Sequence, residues 1–431
     1  MNTVLSLRRA LRRGSLSSRE LVERCLSRIR LRNPALNAVV TLDADRARAA
    51  ADRADRAAHR GEWAGPLHGL PFTVKDALST SGVRTTAGVA ERIDHVPGHD
   101  AAAVAALRRA GAIVLGKTNT PPWATGLQTH NEVFGTTRNP YDTSRTPGGS
   151  SGGAAVGVAT GMTVFEVGTD LAGSLRVPAA FCGIYAHKPT YGLVPQDGYL
   201  GLHEDVDMNV VGPLARAAGD LDLLLTVLSG AAAGRLPPPR HGRLEEHRIG
   251  LWLDDPGCPV DSEVGDVLAP IGHRLASWGA RIADRPPIDL ADAAAAFREL
   301  VTIATLRQRA PEGRRIEPTA ELEAVRTRLR SVWDDYFRTC DVLLCPVTPM
   351  VAFPHDRRPA AAQRVTVGGR ALPPLRCLSW AGLASAAYLP ATVVPVGHTR
   401  TGLPVGLQIV GPYGEDRTPL RVARELARRL G

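Results

Sequence analysis

The sequence predicts one α/β domain, and three observations carry that prediction. Amphipathic helical stretches alternate with short apolar, strand-like runs along the chain. A glycine-rich stretch, residues 146–178, joins a small-residue helix to an apolar strand and a turn, where open sheets place their chemistry. The 431 residues are long enough for two or three domains, yet they show no internal repeat and no linker. Charged residues at 22% and apolar residues at 44% are ordinary for a soluble globular chain.

In chain order, Ser17-Ser18-Arg19-Glu20 is a capping box, and the LVERCLSRIR that follows has helical spacing, which predicts a helix over 17–30. A second, Ala/Arg-rich amphipathic helix spans about 43–59. PFTV (71–74) reads as a strand that delivers Lys75 from its end. Asp100 is placed to cap the helix AAAVAALRRA, which stops at Gly111 before the strand AIVLG. Residues 119–145 form a long polar and aromatic connection, expected to line a substrate pocket with Trp123 and Leu127, while Phe134 fits pocket or core equally. GGAAVGVATG (152–161) suits a buried helix packed close on a sheet, and TVFEV (163–167) the strand after it. DLDLLLTVLSG (220–230) is a core helix and 231–248 a loop, after which RIGLWL rejoins the same sheet. Helices follow at about 261–279 and 320–338, with a short strand DVLLCP at 341–346. The Pro-, Arg- and Gly-rich residues 351–376 read as a lid or rim, beyond which Trp380 and Tyr388 are further pocket candidates for an apolar or aromatic acyl group. ATVVPV and LPVGLQIV, separated by GHTRTG, read as a hairpin before an Arg-rich final helix.

The formal net charge of +9 raises the question of nucleic acid or membrane surfaces. The arginines, however, alternate with acids, as in DADRARAAADRADRAAHR, which is the pattern of a solvated helix face. No nucleic-acid partner is expected. The six cysteines (Cys25, Cys182, Cys258, Cys340, Cys345 and Cys377) form no CxxC pair and have no metal-ligand spacing, so free thiols and no metal are expected. MNTVLSLRRALRRG is too poor in apolar residues for a signal peptide, and no window approaches a membrane span. These features predict a cytoplasmic protein with no membrane association.

The chemistry gathers around three residues. Gly148, Gly149, Gly152 and Gly153 surround Ser150 and Ser151, and glycines on both sides of a serine let a ligand approach the main chain. Ser174 falls in a turn just past the predicted strand, and the successive N–H groups of Leu171, Ala172, Gly173 and Ser174 can meet a developing oxyanion. Lys75 is one of only three lysines, with Lys117 and Lys188, among 52 basic residues. A chain that uses arginine so heavily keeps lysine where arginine cannot serve, and only a desolvated lysine can become a neutral base. Two motif matches fail on context. Gly111–Thr118 fits the phosphate-loop pattern, but a helix precedes it, a strand fills it and TNTPPW follows. Ser150 and Ser151 each fit the hydrolase-elbow pattern, but the required upstream strand is replaced by turn-rich RNPYDTSRTP.

GLPFTVKD, then PGGSSGG, then GTDLAGSLRVPAAFCG, in that order, resemble the amidase signature family, and the resemblance runs from residues 37–54 to GLPVGLQIVG at 402–411. It implies a large mixed β-sheet covered by helices on both sides. One domain would span 1–431, with a signature core at about 65–216 and residues 217–431 completing the sheet and pocket. It also implies a Ser-cisSer-Lys triad: Ser174 as nucleophile, Ser150 as the bridge after a cis peptide, and Lys75 as base. Asp170 and Arg176 match positions that shape the nucleophile turn, and Ser151 satisfies the loop. Ala172 departs from the glycine more usual there, and its methyl group narrows the oxyanion hole or tilts the loop. His130 and His187 have no role in a lysine-based triad and read as structural or surface residues.

The implied activity is hydrolysis of a linear carboxylic amide through an acyl-enzyme on Ser174, without a cofactor. An esterase or carbamate (urethane) hydrolase and an amide-forming acyl transferase share the same triad. The glutaminase subunit of a tRNA-dependent amidotransferase is a further reading, which would bring a partner chain. That subfamily usually reads Arg-Gln-Pro where this chain has Arg176-Val177-Pro178. The expected partner is a small-molecule amide substrate, and a homodimer is compatible with the sequence.

Overall fold

Eleven strands form one mixed sheet in the computed structural model, which describes residues 3–309 and 316–430. They are β1 (Val39–Leu42), β2 (Pro71–Lys75), β3 (Ile113–Thr118), β4 (Phe165–Asp170), β5 (Tyr185–Lys188), β6 (Val210–Ala215), β7 (Arg248–Leu251), β8 (Arg281–Ala283), β9 (Val342–Pro346), β10 (Ala391–His398) and β11 (Pro404–Val410). Their order across the sheet is β1-β3-β2-β4-β6-β5-β10-β11-β9-β7-β8. β2 runs parallel to both β3 and β4, whereas β6, β5, β10 and β11 pair antiparallel in succession. The hairpin read at GHTRTG is the β10–β11 pair, and RIGLWL does rejoin the sheet, as β7 beside β9.

Helices cover both faces, and β9 shows why its sequence is apolar throughout. Val342 and Leu344 pack with helices 262–277 and 417–430, while Leu343 and Cys345 pack with helices 320–339 and 379–386 on the opposite face. A strand buried on both sides has no polar alternation to display. The helix Gly152–Ala159 needs its small residues for a different reason: a Cβ at Gly153 would lie 2.4 Å from the Asn119 amide nitrogen. Only glycine lets that helix lie so close to the sheet.

Several boundaries differ from the sequence reading. The capping box at Ser17 and Glu20 is present, but its helix continues to Leu36. Asp100 does not cap the next helix, whose N-cap is Ala101; its carboxylate accepts the Ser81 N–H at 2.8 Å and pairs with Arg108. Residues 261–279 break at Ala269 into two helices, the second opening on Pro270. The strand after the small-residue helix starts at Phe165, later than expected, and ends on Thr169 and Asp170. Helices Val4–Arg12, Leu290–Arg309 and Ser379–Ala386 have no counterpart in the sequence reading. Among the described residues, no helix is long and apolar enough to cross a membrane.

Candidate active site

Four chain segments meet at the C-terminal ends of β2 and β4. β2 ends on Lys75, which is fully buried, and its Nζ lies 2.7 Å from Ser150 Oγ and 2.8 Å from Thr169 Oγ1. Ser150 sits in the loop before helix 152–159, and the Gly149–Ser150 peptide is cis. A Cβ on Gly149 would lie 2.5 Å from the Gly126 carbonyl oxygen, so this loop closes only with glycine there. Ser174 lies in the turn after β4 and lines a cavity together with Ser150. Among the described residues its hydroxyl has no hydrogen-bond partner, so Ser150 is joined to Lys75 and not to Ser174. Ser151 holds the loop from behind: its hydroxyl donates to the Thr169 carbonyl and its N–H to that of Ser174.

Asp170 and Arg176 fold the turn that presents Ser174. The Asp170 carboxylate accepts the N–H groups of Gly173 and Leu175 at 2.7 and 3.1 Å. It also takes Arg176 Nε and Nη2 at 2.9 and 3.0 Å, a bidentate pair with both side chains buried. Burial alone would raise the Asp170 pKa, but the Arg176 charge outweighs it and holds the carboxyl down at about 2. The remaining guanidinium contacts go to Ala381 O, Gln408 Oε1 and Ser385 Oγ, tying the turn to helix 379–386 and to β11. One expectation is corrected here. The Gly173 N–H is committed to Asp170 and cannot receive an oxyanion, which leaves those of Leu171, Ala172 and Ser174, free of acceptors among the described residues. Gly173 contributes shape instead, with φ +115 at the tip of the turn.

Lys75 lies in a buried polar cluster. Burial lowers its pKa to about 7, against the opposing charges of Asp170 and Glu166. Glu166, on β4, accepts hydrogen bonds from Thr118 and Thr73, and burial pushes its carboxyl up to about 8. At neutral pH the cluster can hold a neutral amine beside a protonated carboxyl, and a neutral amine can accept a proton.

The cavity in front of Ser174 has a volume of about 440 Å³. Leu127, Leu171, Ala172, Val301, Leu375 and Leu378 form apolar parts of its wall. Of the pocket residues read from the sequence, Leu127 is among the lining. Three others are not, and each has a physical reason. Trp380 is fully buried, edge-on to Trp252 at 5.3 Å, with its indole N–H donated to the Cys258 carbonyl. Tyr388 stacks on Tyr191 and gives its hydroxyl to Asp207 beside Arg326. Trp123 turns aside beneath Arg92, while its neighbour Ala124 lines the cavity. Phe134 lies under Arg84, also outside the lining. His130 bonds Thr136, and His187 is buried between Thr392 and Asp416, so neither reaches the site.

The sequence reading missed Thr169, Tyr199 and Gln308, all in the cavity wall. Tyr199 accepts from Gln308 Nε2 at 3.3 Å, and Thr169 accepts from Lys75 Nζ, so all three add polar groups to the wall near the lysine. A sign of Thr169 was available: a hydroxyl next to the end of the strand that delivers the turn, five residues before Ser174. The apolar spacing Ala293, Phe297, Leu300 and Ala304 could likewise have revealed helix 290–309, which supplies Val301, Thr302 and Thr305 to the wall.

The sequence and the fold both have relatives. The family model described as Amidase matches residues 20–310 and 294–420. A glutamyl-tRNA(Gln) amidotransferase subunit from Anaeromyxobacter sp. (strain K) is 36% identical, over 97% of this chain and 94% of its own length. The corresponding subunit from Synechococcus sp. (strain CC9605) is 33% identical, over 98% of this chain and 95% of its own length. Among solved structures, one described as an amidase superposes with a TM-score of 0.87 at 30% identity, covering 100% of both chains. A bacterial aryl acylamidase of the amidase signature enzymes gives a TM-score of 0.82 at 25% identity, over 99% of this chain and 96% of its own. Fatty acid amide hydrolase, at 22% identity, shares the fold with a TM-score of 0.86 over 100% of this chain and 85% of its own.

Proposed function

The chain belongs to the amidase family, the amidase signature enzymes, and on that premise we propose that it hydrolyses a linear carboxylic amide through an acyl-enzyme on Ser174. The observation that carries this reading is the buried Lys75 amine, 2.7 Å from Ser150 Oγ in the wall of the cavity that Ser174 also lines.

The reaction follows from that placement. Ser174 Oγ attacks the amide carbonyl carbon and passes its proton to Ser150, which passes its own to neutral Lys75. The former carbonyl oxygen takes the negative charge and meets the N–H groups of Leu171, Ala172 and Ser174. The methyl group of Ala172 does not remove that donor. Collapse of the intermediate breaks the C–N bond, and the leaving nitrogen takes the proton back from Lys75 through Ser150. Water then attacks the acyl ester with the same relay as base, releasing the carboxylic acid and restoring Ser174. The apolar part of the wall favours an alkyl or aryl acyl group.

A second reading is the glutaminase subunit of a tRNA-dependent amidotransferase, favoured by the 36% identity to one such subunit. A glutamine substrate brings an ammonium group that needs a carboxylate. Among the described residues lining the cavity there is none, and Arg364 is the one charged side chain. Together with Val177 in place of glutamine, this ranks the reading second. Purified protein is assayed against alkyl amides, anilides, carbamates, esters and glutamine, with and without an added amine. Anilide or alkyl amide hydrolysis well above glutaminase supports the proposal, and an amide product with the added amine identifies acyl transfer. Turnover of glutamine alone replaces it with the second reading.

A further inference from the structure

A second cavity, of about 620 Å³, adjoins the first along helix 290–309. Ala291, Ala294 and Arg298 of that helix face it, whereas Val301, Thr302 and Thr305, further along, face the acyl cavity. The segment 372–379 is divided in the same way: Arg376 and Ser379 line this cavity, Leu375 and Leu378 the other.

Its wall contains three arginines, Arg298, Arg370 and Arg376, and no Asp or Glu among the described residues. None of the three guanidinium groups forms an ion pair with a described residue. Arg298 is partly buried, and burial together with the charge of Arg376 pushes its pKa below the ordinary value. Glu299 offsets part of that effect, and the Asp255 and Asp261 carboxylates accept the N–H groups of Gly257 and Gly368 at the edge of the wall. The wall itself holds no carboxylate among the described residues, so the repulsion between Arg298 and the exposed Arg376 is one that an anion between them would relieve. Guanidinium forks match the oxygens of a tetrahedral oxyanion, and a bidentate contact gives direction as well as charge. The Ser379 hydroxyl donates to the Arg376 carbonyl and so holds the backbone that carries one of the three.

We propose that this cavity binds a phosphate-type oxyanion between Arg298, Arg370 and Arg376, at a site separate from the acyl cavity. Its volume exceeds what inorganic phosphate fills, so the phosphoryl group of a small ester is accommodated as well.

The full chain is titrated calorimetrically at fixed ionic strength with pyrophosphate, inorganic phosphate and glycerol 3-phosphate, with sodium chloride as control. Saturable binding at one site is expected, and comparison of the last two phosphate compounds shows whether a free anion or an ester is preferred. The double variant Arg298→Gln/Arg376→Gln weakens pyrophosphate by roughly tenfold or more, the worth of lost charge-assisted hydrogen bonds. Without ligand, Arg298→Gln melts at or above the wild-type temperature, because the repulsion is relieved. Should the double variant not fold, Arg370→Gln, on an exposed hairpin, gives the same comparison of affinities. The proposal is overturned if chloride reproduces the effect or if the variants bind pyrophosphate as the wild type does. A ligand-free Arg298→Gln that melts several degrees lower also overturns it, since the guanidinium would then serve packing.

Discussion

Replacing Lys75 by arginine separates a base from a fixed charge. The Lys75 amine is fully buried, 2.7 Å from Ser150 Oγ and 2.8 Å from Thr169 Oγ1, and burial brings its pKa to about 7. A group with that midpoint is neutral in roughly a tenth of molecules one pH step below it and about nine-tenths one step above. For the wild type, kcat/KM therefore rises about tenfold between pH 6 and pH 8, along a limb that belongs to the coupled Lys75–Ser150–Ser174 system. Arginine stays protonated throughout, so Lys75→Arg loses roughly 10²–10⁴ in kcat and the limb disappears. Lys75→Met, which removes the amine without adding length, loses a similar factor. Initial rates of anilide hydrolysis across pH measure both, with circular dichroism confirming the fold. A stability measurement accompanies them. The folded-state pKa lies below the ordinary 10.5, so the unfolded chain binds more protons between about 7 and 10.5, and this group's contribution to stability rises with pH through that window. Below about 7 the cost of burying the charged amine is fully present, and Lys75→Met gains most on the wild type there. Substantial turnover by folded Lys75→Arg, or a tenfold limb that survives in it, refutes the base assignment.

Ser174→Ala abolishes covalent labelling by a fluorophosphonate while Ser150→Ala labels slowly, read by intact mass; equal labelling of the two would exclude Ser174 as nucleophile. Glu166 has the opposite sign from Lys75. Burial raises its pKa from 4.5 to about 8, so the folded state holds a proton that the unfolded chain releases, and stability is lost as pH rises through that window. Glu166→Gln, which keeps the hydrogen-bonding shape of the protonated acid, melts like the wild type at pH 5 and above it at pH 8.5; parallel melting curves at the two pH values would contradict this. Trp380→Ala lowers stability by about 3–5 kcal/mol in urea titration, as large-to-small changes in a packed core do, with substrate ranking retained. Leu127→Ala changes KM and the ranking of acyl groups, and unchanged selectivity in that variant argues against the cavity as the acyl site.

How far each part of the site was legible depended on how its residues are joined. Lys75, Ser150 and Ser174 stand in short, ordered motifs rich in glycine, and the demands of the turn are local, so the motifs can be read as chemistry. Gly149 and Gly173 are required by contacts that a sequence can only suggest: the approach of Gly126 to one and the positive φ of the other. The turn after β4 was legible as four N–H groups, but not which of them Asp170 would take. That choice is made by the direction of a carboxylate that also receives Arg176, whose guanidinium reaches helix 379–386 more than two hundred positions away in the chain.

The sequence by itself determined the α/β class and many of the helices and strands that carry the site, and it marked out the serines and the lysine as candidates, because hydrophobic period, capping residues and glycine-rich turns act over a few residues. The tertiary structure decided the cavity. Its wall comes from residues 124–127, 301–308 and 360–378 as well as the glycine-rich stretch, and side-chain direction across such distances follows from packing alone. Trp380 shows the difference. An aromatic residue near a pocket-forming segment looks like a substrate contact until its ring is seen edge-on to Trp252, with its N–H donated to Cys258. An indole is large enough to serve either wall or core, and only the placement of its neighbours, set by the folding of the whole sheet, makes it core.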